Sequence, residues 1–172
     1  KRLQSGSEKN TIQQKLVGDL EMINLSPIAQ VHNTRPEVED DDWGEIVSIL
    51  HLDPSLPEEA LIGLEEFSHA EIIYFFHHVN ESKIETSARH PRNNKDWPKV
   101  GILSQRGKNR PNRLGATIVE VLKREGRQLH VRGLDAVDGT PILDIKPVMR
   151  EFLPRSEVNQ PEWATELMKN YW

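Results

Sequence analysis

Three carboxylates fall within DAVDGTPILDIK (Asp135–Lys146): Asp135, Asp138 and Asp144. Packed together they repel one another unless they are paired or hold a cation. A salt-bridged network with Lys146 and nearby arginines is one account, and a ligand site is the other. A second set of reactive types is RGKNRPNRLG (Arg106–Gly115), in which Arg106, Lys108, Arg110 and Arg113 crowd around Pro111. With Arg89, Arg92, Lys95 and Lys99 they make eight cations against one acid, Asp96, between positions 89 and 113. The whole chain carries a formal net charge of -5, and positions 36 to 66 hold eleven acids with no Lys or Arg. A cationic face on folded structure inside an acidic protein points to a phosphate-bearing partner. The third set is His77 and His78, with His69 nearby. Histidine carries protons near neutral pH. Adjacent residues of a regular strand point to opposite faces, so the pair is not expected to chelate one metal. One imidazole should face the core or a cleft and the other should face outward.

Other chemistries fail on residue type or spacing. The chain has no cysteine, which excludes a thiol nucleophile, disulfides and Cys-ligated metal centres. Gly101 and Gly107-Lys108 imitate a phosphate loop, but five residues separate the glycines where four are needed, and Asn109 replaces the metal-binding hydroxyl residue. No G-x-G-x-x-G occurs, so a Rossmann nucleotide site has no support. IIYFF is too short to span a bilayer and Lys1 begins no signal-peptide pattern, so a soluble protein without a membrane partner is expected.

The elements that must position these residues are short. β-Branched or aromatic runs recur at 28–32, 46–52, 70–79, 100–104, 116–122, 129–134 and 141–146, with turn signals such as Asp53-Pro54, Glu125-Gly126 and Asp138-Gly139 between them. Consecutive runs are not separated by long helices, which favours an antiparallel sheet or barrel over parallel βαβ units. Asp138-Gly139 is a preferred two-residue turn and predicts a hairpin between LHVRGLDAV and TPILDIK. Short helices are predicted over 56–67, where Pro57, Glu58 and Glu59 suit an N-terminus, and over 160–172. In the latter, Trp163, Leu167 and Tyr171 form a stripe expected to cover the core or to dock a second subunit. Ile12, Leu16, Leu20 and Ile23 have near-helical spacing for an amphipathic extension. The chain thus divides into an N-terminal extension (1–24), a mainly β domain (25–153), and a C-terminal linker and helix (154–172).

QRGKNRPNRLGATIVEV followed by VRGLDAVDGTPILDIKP resembles the paired signatures of the TsaA-like family, whose characterised members are TrmO-type tRNA methyltransferases. GLEEFSHAEIIYFFHH and PIAQVHNTR are similar to that family's central and first strands. The resemblance implies a single-sheeted antiparallel β-barrel that binds S-adenosylmethionine, forms a cytoplasmic homodimer and needs no metal. It also implies methylation of the exocyclic nitrogen of threonylcarbamoyl-adenosine next to the tRNA anticodon. Carried over by position, the cofactor pocket comprises His77, His78, Arg106, Leu114, Gly115, Ala116, Asp135, Ala136, Val137, Asp138 and Gly139. His77, His78 and Asp138 are the candidates for a base. The family's Pro-Arg-Gln stretch is replaced here by EVEDDDWGEI, which puts Trp43 either against the cofactor or over the barrel mouth.

On the acceptor side, Arg89, Arg92, Lys95, Lys99, Lys108, Arg110, Arg113 and Lys146 would neutralise phosphates of the anticodon loop and make binding salt-dependent. Some of them could instead pair with the acidic block of a neighbouring subunit. Two other functions use the same residues: a non-catalytic RNA-binding barrel, and a methyltransferase acting on a small phosphorylated metabolite.

Overall fold

A computed structural model describes residues 22–172. The expected helix through Ile12, Leu16 and Leu20 lies outside the described residues, and its last position, Ile23, is exposed. Six strands close into one antiparallel barrel: β1 (Ala29–His32), β2 (Val47–Leu52), β3 (His69–Phe75), β6 (Leu114–Glu125), β7 (Gln128–Arg132) and β8 (Pro141–Pro147). Around the barrel the order is β1-β2-β7-β6-β3-β8, and β8 closes it by pairing Ile142 with Ala29. Two very short strands, β4 (Ala88–Arg89) and β5 (Val100–Gly101), pair with each other in the long segment that joins β3 to β6. Among the described residues no helix is long and apolar enough to cross a membrane.

The period-two pattern in the sequence sets which way the strands face. On β3 Ala70, Ile72 and Tyr74 point inward, and on β6 Gly115, Thr117 and Val119 do. Ala70, Ile72, Tyr74 and Val119 join Val31, Leu50, Leu129, Val131, Leu134 and Ile142 in a buried core. Each such aliphatic side chain contributes roughly 1.5–3 kcal/mol through removal from water. Closure leaves no free strand edge in this sheet, so every barrel strand has two neighbours.

Three local expectations are corrected. Asp138-Gly139 does turn, but β7 and β8 are not a hairpin: β7 pairs with β2 and β6, and β8 pairs with β1 and β3. The connecting chain instead crosses to β1, where Gly139 N donates to Val31 O and Asp138 N to Arg35 O, both at 2.8 Å. Residues 56–67 are not one helix but two single-turn 3-10 segments, Glu58–Leu61 and Leu64–Glu66, interrupted where Gly63 takes a left-handed φ of 92°. The run at 100–104 contributes only the two residues of β5 and then a 3-10 turn, and it stands outside the barrel.

Candidate active site

A cleft of about 1300 Å³ opens at one end of the barrel. Its floor comes from the end of β3, the start of β6 and the stretch after β7, which supply Tyr74, Thr117 and Asp135. Asn33 holds that last stretch in place: its side-chain amide donates to Ala136 O and to the buried Ser48 hydroxyl, both at 2.9 Å. Tyr74 lies over the glycine directly opposite it, Gly115, whose missing side chain makes room for the ring. The Tyr74 hydroxyl then donates to Asp135 Oδ1 at 2.8 Å, and the Thr117 hydroxyl donates to the same oxygen. The Tyr171 hydroxyl donates to Oδ2. Burial pushes the Tyr74 phenol far above its ordinary range and the Asp135 carboxylate pushes it further, so it stays a donor. The three side chains that hold the Asp135 carboxylate are therefore neutral hydroxyls. A carboxylate held in this way is fixed in direction, with no cation among the three side chains that hold it.

His77 and His78 follow β3 after one intervening residue, Phe76. A bond from His77 N to Phe75 O at 2.8 Å bends the chain out of the strand there. Both imidazoles border the cleft, with ring centroids 3.9 Å apart; His77 is half-buried and His78 exposed, in keeping with one cleft-facing and one outward ring. Burial, and after it the neighbouring His78, push the His77 imidazole below its usual value, so it is neutral at pH 7 and able to accept a proton. Gly139, at φ 79°, lies behind it: a Cβ there would sit 3.9 Å from His77 Nε2.

The facing wall is the segment from Phe76 to Arg113, whose Lys83, Arg89, Arg92, Arg106 and Lys108 line the cleft. Arg89 Nε is buried and has no hydrogen-bond partner among the described residues. Arg106 donates to Ala116 O. Arg92 grips Asp41 with both terminal nitrogens, at 2.7 and 3.1 Å. The acidic loop after β1 thus meets the basic segment within one chain. Arg35 organises that loop, donating to the carbonyls of Asp41 and Asp42 at 2.8 and 2.9 Å and stacking 4.6 Å from the ring of the buried Trp43. The last wall is α1 (Glu162–Leu167) and the turn after it. Trp163, Leu167 and Tyr171 face the cleft rather than covering the barrel core, which corrects the first expectation for that stripe.

The structure therefore brings together His77, His78, Arg106, Ala116, Asp135, Ala136 and Val137 of the expected cofactor residues, with Arg89, Arg92 and Lys108 opposite. Leu114, Gly115 and Arg110 line a side recess of about 140 Å³ that shares Asp135 and Arg106 with the main cleft. Asp138 stands outside, half exposed, accepting from Asn33 N at 3.0 Å. Lys95 and Lys99 are exposed beyond the cleft. Arg113 is bound to Val79 O at 2.9 Å and stacked on Phe75, and Lys146 pairs with Asp144 at 2.6 Å. Sequence reasoning missed Tyr74, Thr117 and Tyr171. The signal was present for two of them, since hydroxyl residues stood at inward positions of otherwise apolar strand faces.

The arrangement suits a transfer between a cationic donor and an anionic acceptor. Asp135 offers a directed negative charge, His77 a neutral imidazole, and the opposite wall a row of cations. Comparisons with known proteins place the chain in a family. The human tRNA (adenine(37)-N6)-methyltransferase is 38% identical over 114 residues, 66% of this chain and 25% of that protein. The mouse protein of the same name is 41% identical over 96 residues, 56% of this chain and 22% of its own length, so the chain spans about a quarter of these relatives. A probable S-adenosyl-L-methionine-binding protein of Pyrococcus abyssi is 34% identical over 142 residues, 80% of this chain and 74% of that one. Among solved structures, TrmO from Pseudomonas aeruginosa superposes with a TM-score of 0.65 at 26% identity, covering 81% of this chain and 62% of that one. Residues 34–152 match the tRNA-methyltransferase O N-terminal domain, and the chain belongs to that family.

Proposed function

We propose that this chain transfers a methyl group from S-adenosylmethionine to the exocyclic nitrogen of an adenosine beside the tRNA anticodon, and that the adenosine carries a threonylcarbamoyl group. The observation that carries the reading is the convergence of the hydroxyl-held Asp135 and the cationic segment on one cleft. S-adenosylmethionine supplies an electrophilic methyl on a sulfonium, and the residues present fit it. Asp135 would attract its positive charge, and buried Trp43 would offer an aromatic wall. Arg89 would take an anionic substituent or phosphate of the acceptor, because its buried Nε has a donor to give. His77 would take the proton lost by the acceptor nitrogen. The exposed apolar Ile118 and Leu122 on β6 offer a surface that a second copy would cover, in keeping with a cytoplasmic homodimer.

The test is tritiated methyl transfer to tRNA bearing or lacking the threonylcarbamoyl group, with nucleoside mass spectrometry of the product. Transfer to the modified tRNA alone is expected; transfer to neither would remove the proposal. Arg89→Ala should raise the tRNA KM about tenfold and flatten its salt dependence by roughly one counterion. An unchanged salt slope favours a small-molecule acceptor, and an absence of S-adenosylmethionine binding favours a pure RNA-binding module.

The base assignment predicts a pH profile. His77 must be neutral to accept a proton, and its folded value lies below the ordinary 6.5. The rate should therefore hold down to pH 6.5 and fall only at more acidic values. His77→Gln should remove that acidic limb; a limb that stays in place assigns the titration to another group.

A further inference from the structure

We propose that Tyr171 is a positioning residue of the methyl-donor subsite, and that the C-terminal segment from Pro161 to Trp172 is thereby a working part of this chain's active site. The inference rests on the reading of the cleft as a site for S-adenosylmethionine, and extends it to residues beyond the 34–152 that match the family. Tyr74 and Thr117 both donate to Asp135 Oδ1, and among the described residues Oδ2 accepts from Tyr171 alone. One oxygen held at one end lets a carboxylate pivot about that contact; holding both ends fixes its plane. The Tyr171 phenol is pushed well above its ordinary range, by burial first and by Asp135 next, so it remains protonated and donates.

The segment is not a loose tail. Trp43 N donates to Tyr171 O at 2.8 Å and Asp42 N to Asn170 O at 3.0 Å, which joins it to the acidic loop as a short backbone ladder. Trp97 Nε1 donates to Glu166 Oε2 at 2.7 Å, which ties α1 to the basic segment. Gly44 packs directly on its backbone: a Cβ at that position would stand 2.8 Å from the carbonyl carbon of Trp172. Walls of opposite charge are thus bridged by one strap, and the strap carries the hydroxyl that completes the carboxylate's shell.

The experiment is calorimetric titration of S-adenosylmethionine into the full chain and its Tyr171→Phe, Gly44→Ala and Asp135→Asn variants, with steady-state kinetics alongside. Tyr171→Phe removes one hydroxyl and keeps the ring. It should weaken donor binding roughly tenfold or more, the worth of one hydrogen bond to a charged group. Donor KM should rise by a similar factor while kcat falls less than twofold and the tRNA KM stays put. Gly44→Ala displaces the Trp172 backbone, and Tyr171 with it, while every cleft side chain keeps its identity, and should reproduce the donor defect in a protein whose circular dichroism is unchanged. Full donor affinity in folded Tyr171→Phe or Gly44→Ala, with Asp135→Asn defective, overturns the inference and leaves the cofactor reading standing. Wild-type donor affinity in Asp135→Asn also overturns the inference, by removing Asp135 from the donor subsite, whereas no donor binding by the wild-type chain overturns the cofactor reading itself. A Tyr171→Phe defect confined to kcat or to tRNA binding also overturns the inference.

Discussion

Asp135→Asn is expected to weaken S-adenosylmethionine binding by about 100-fold while the protein stays folded. Two effects add. The side chain loses the negative charge that faces the donor's positive charge, and removing one partner of a desolvated charge pair costs about 2–5 kcal/mol. The amide also puts an NH2 in place of one of the two oxygens to which the Tyr74, Thr117 and Tyr171 hydroxyls now donate. One of them must turn away or lose its partner, which costs about 1–3 kcal/mol if a buried donor is left unpaired. Relief of a desolvated carboxylate offsets part of that second cost in the folded protein. The thermal midpoint should therefore move by only a few degrees. Calorimetry and a melt on the same sample check both halves. A large fall in the melt with donor affinity intact would make Asp135 a structural group.

Gly115→Ala is expected to have the largest effect on stability. Gly115 faces Tyr74 across the β3–β6 pair, and a Cβ there would stand 2.4 Å from the phenol ring's Cζ. The ring cannot yield cheaply, because Tyr74 is only 1% exposed and its hydroxyl is committed to Asp135. Overpacking of this kind costs about 3 kcal/mol. For a chain of this size that is roughly a 10 °C fall in Tm, measurable by calorimetric or dichroic melting. The same displacement should loosen Asp135 and weaken donor binding in the folded fraction. A melt within a degree or two of wild type would mean that the sheet opens at this pair without cost. Gly115→Ala combined with Tyr74→Phe should not restore donor affinity, since the hydroxyl would still be missing.

Much of the barrel was legible because alternation is a local property. The inward Ala70, Ile72 and Tyr74 can be picked out of HAEIIYF without knowing what they pack against. Pairing partners are not local. Asp138-Gly139 has the composition of a hairpin turn and does turn, yet β8 runs beside β1 because Asp138 and Gly139 bond to Arg35 and Val31 instead. The predicted helix at 56–67 failed at Gly63, a position where helical periodicity and left-handed backbone lead to opposite structures. The histidine pair is one half-buried and one exposed ring, as alternation suggests, but the strand stops at Phe75, so both rings still border the cleft. The cations were found as a block, but only coordinates separate Arg92, already gripping Asp41, and Arg113, already stacked on Phe75, from Arg89 with its free Nε. Tyr171 could not be read as a partner of Asp135, because nothing local relates residues so far apart in the chain.

β3 and β6 pair continuously from His69↔Glu120 to Phe75↔Leu114, so the segment that holds nearly all the cleft's cations leaves and re-enters the barrel at adjacent points. Its length is thermodynamically inexpensive, since doubling a closed loop costs only about 0.6 kcal/mol. The barrel can therefore act as a socket and the segment as an exchangeable cassette. Acceptor preference could diverge among relatives by swapping residues 79–105, with Tyr74, His77, Arg106, Thr117 and Asp135 left in place.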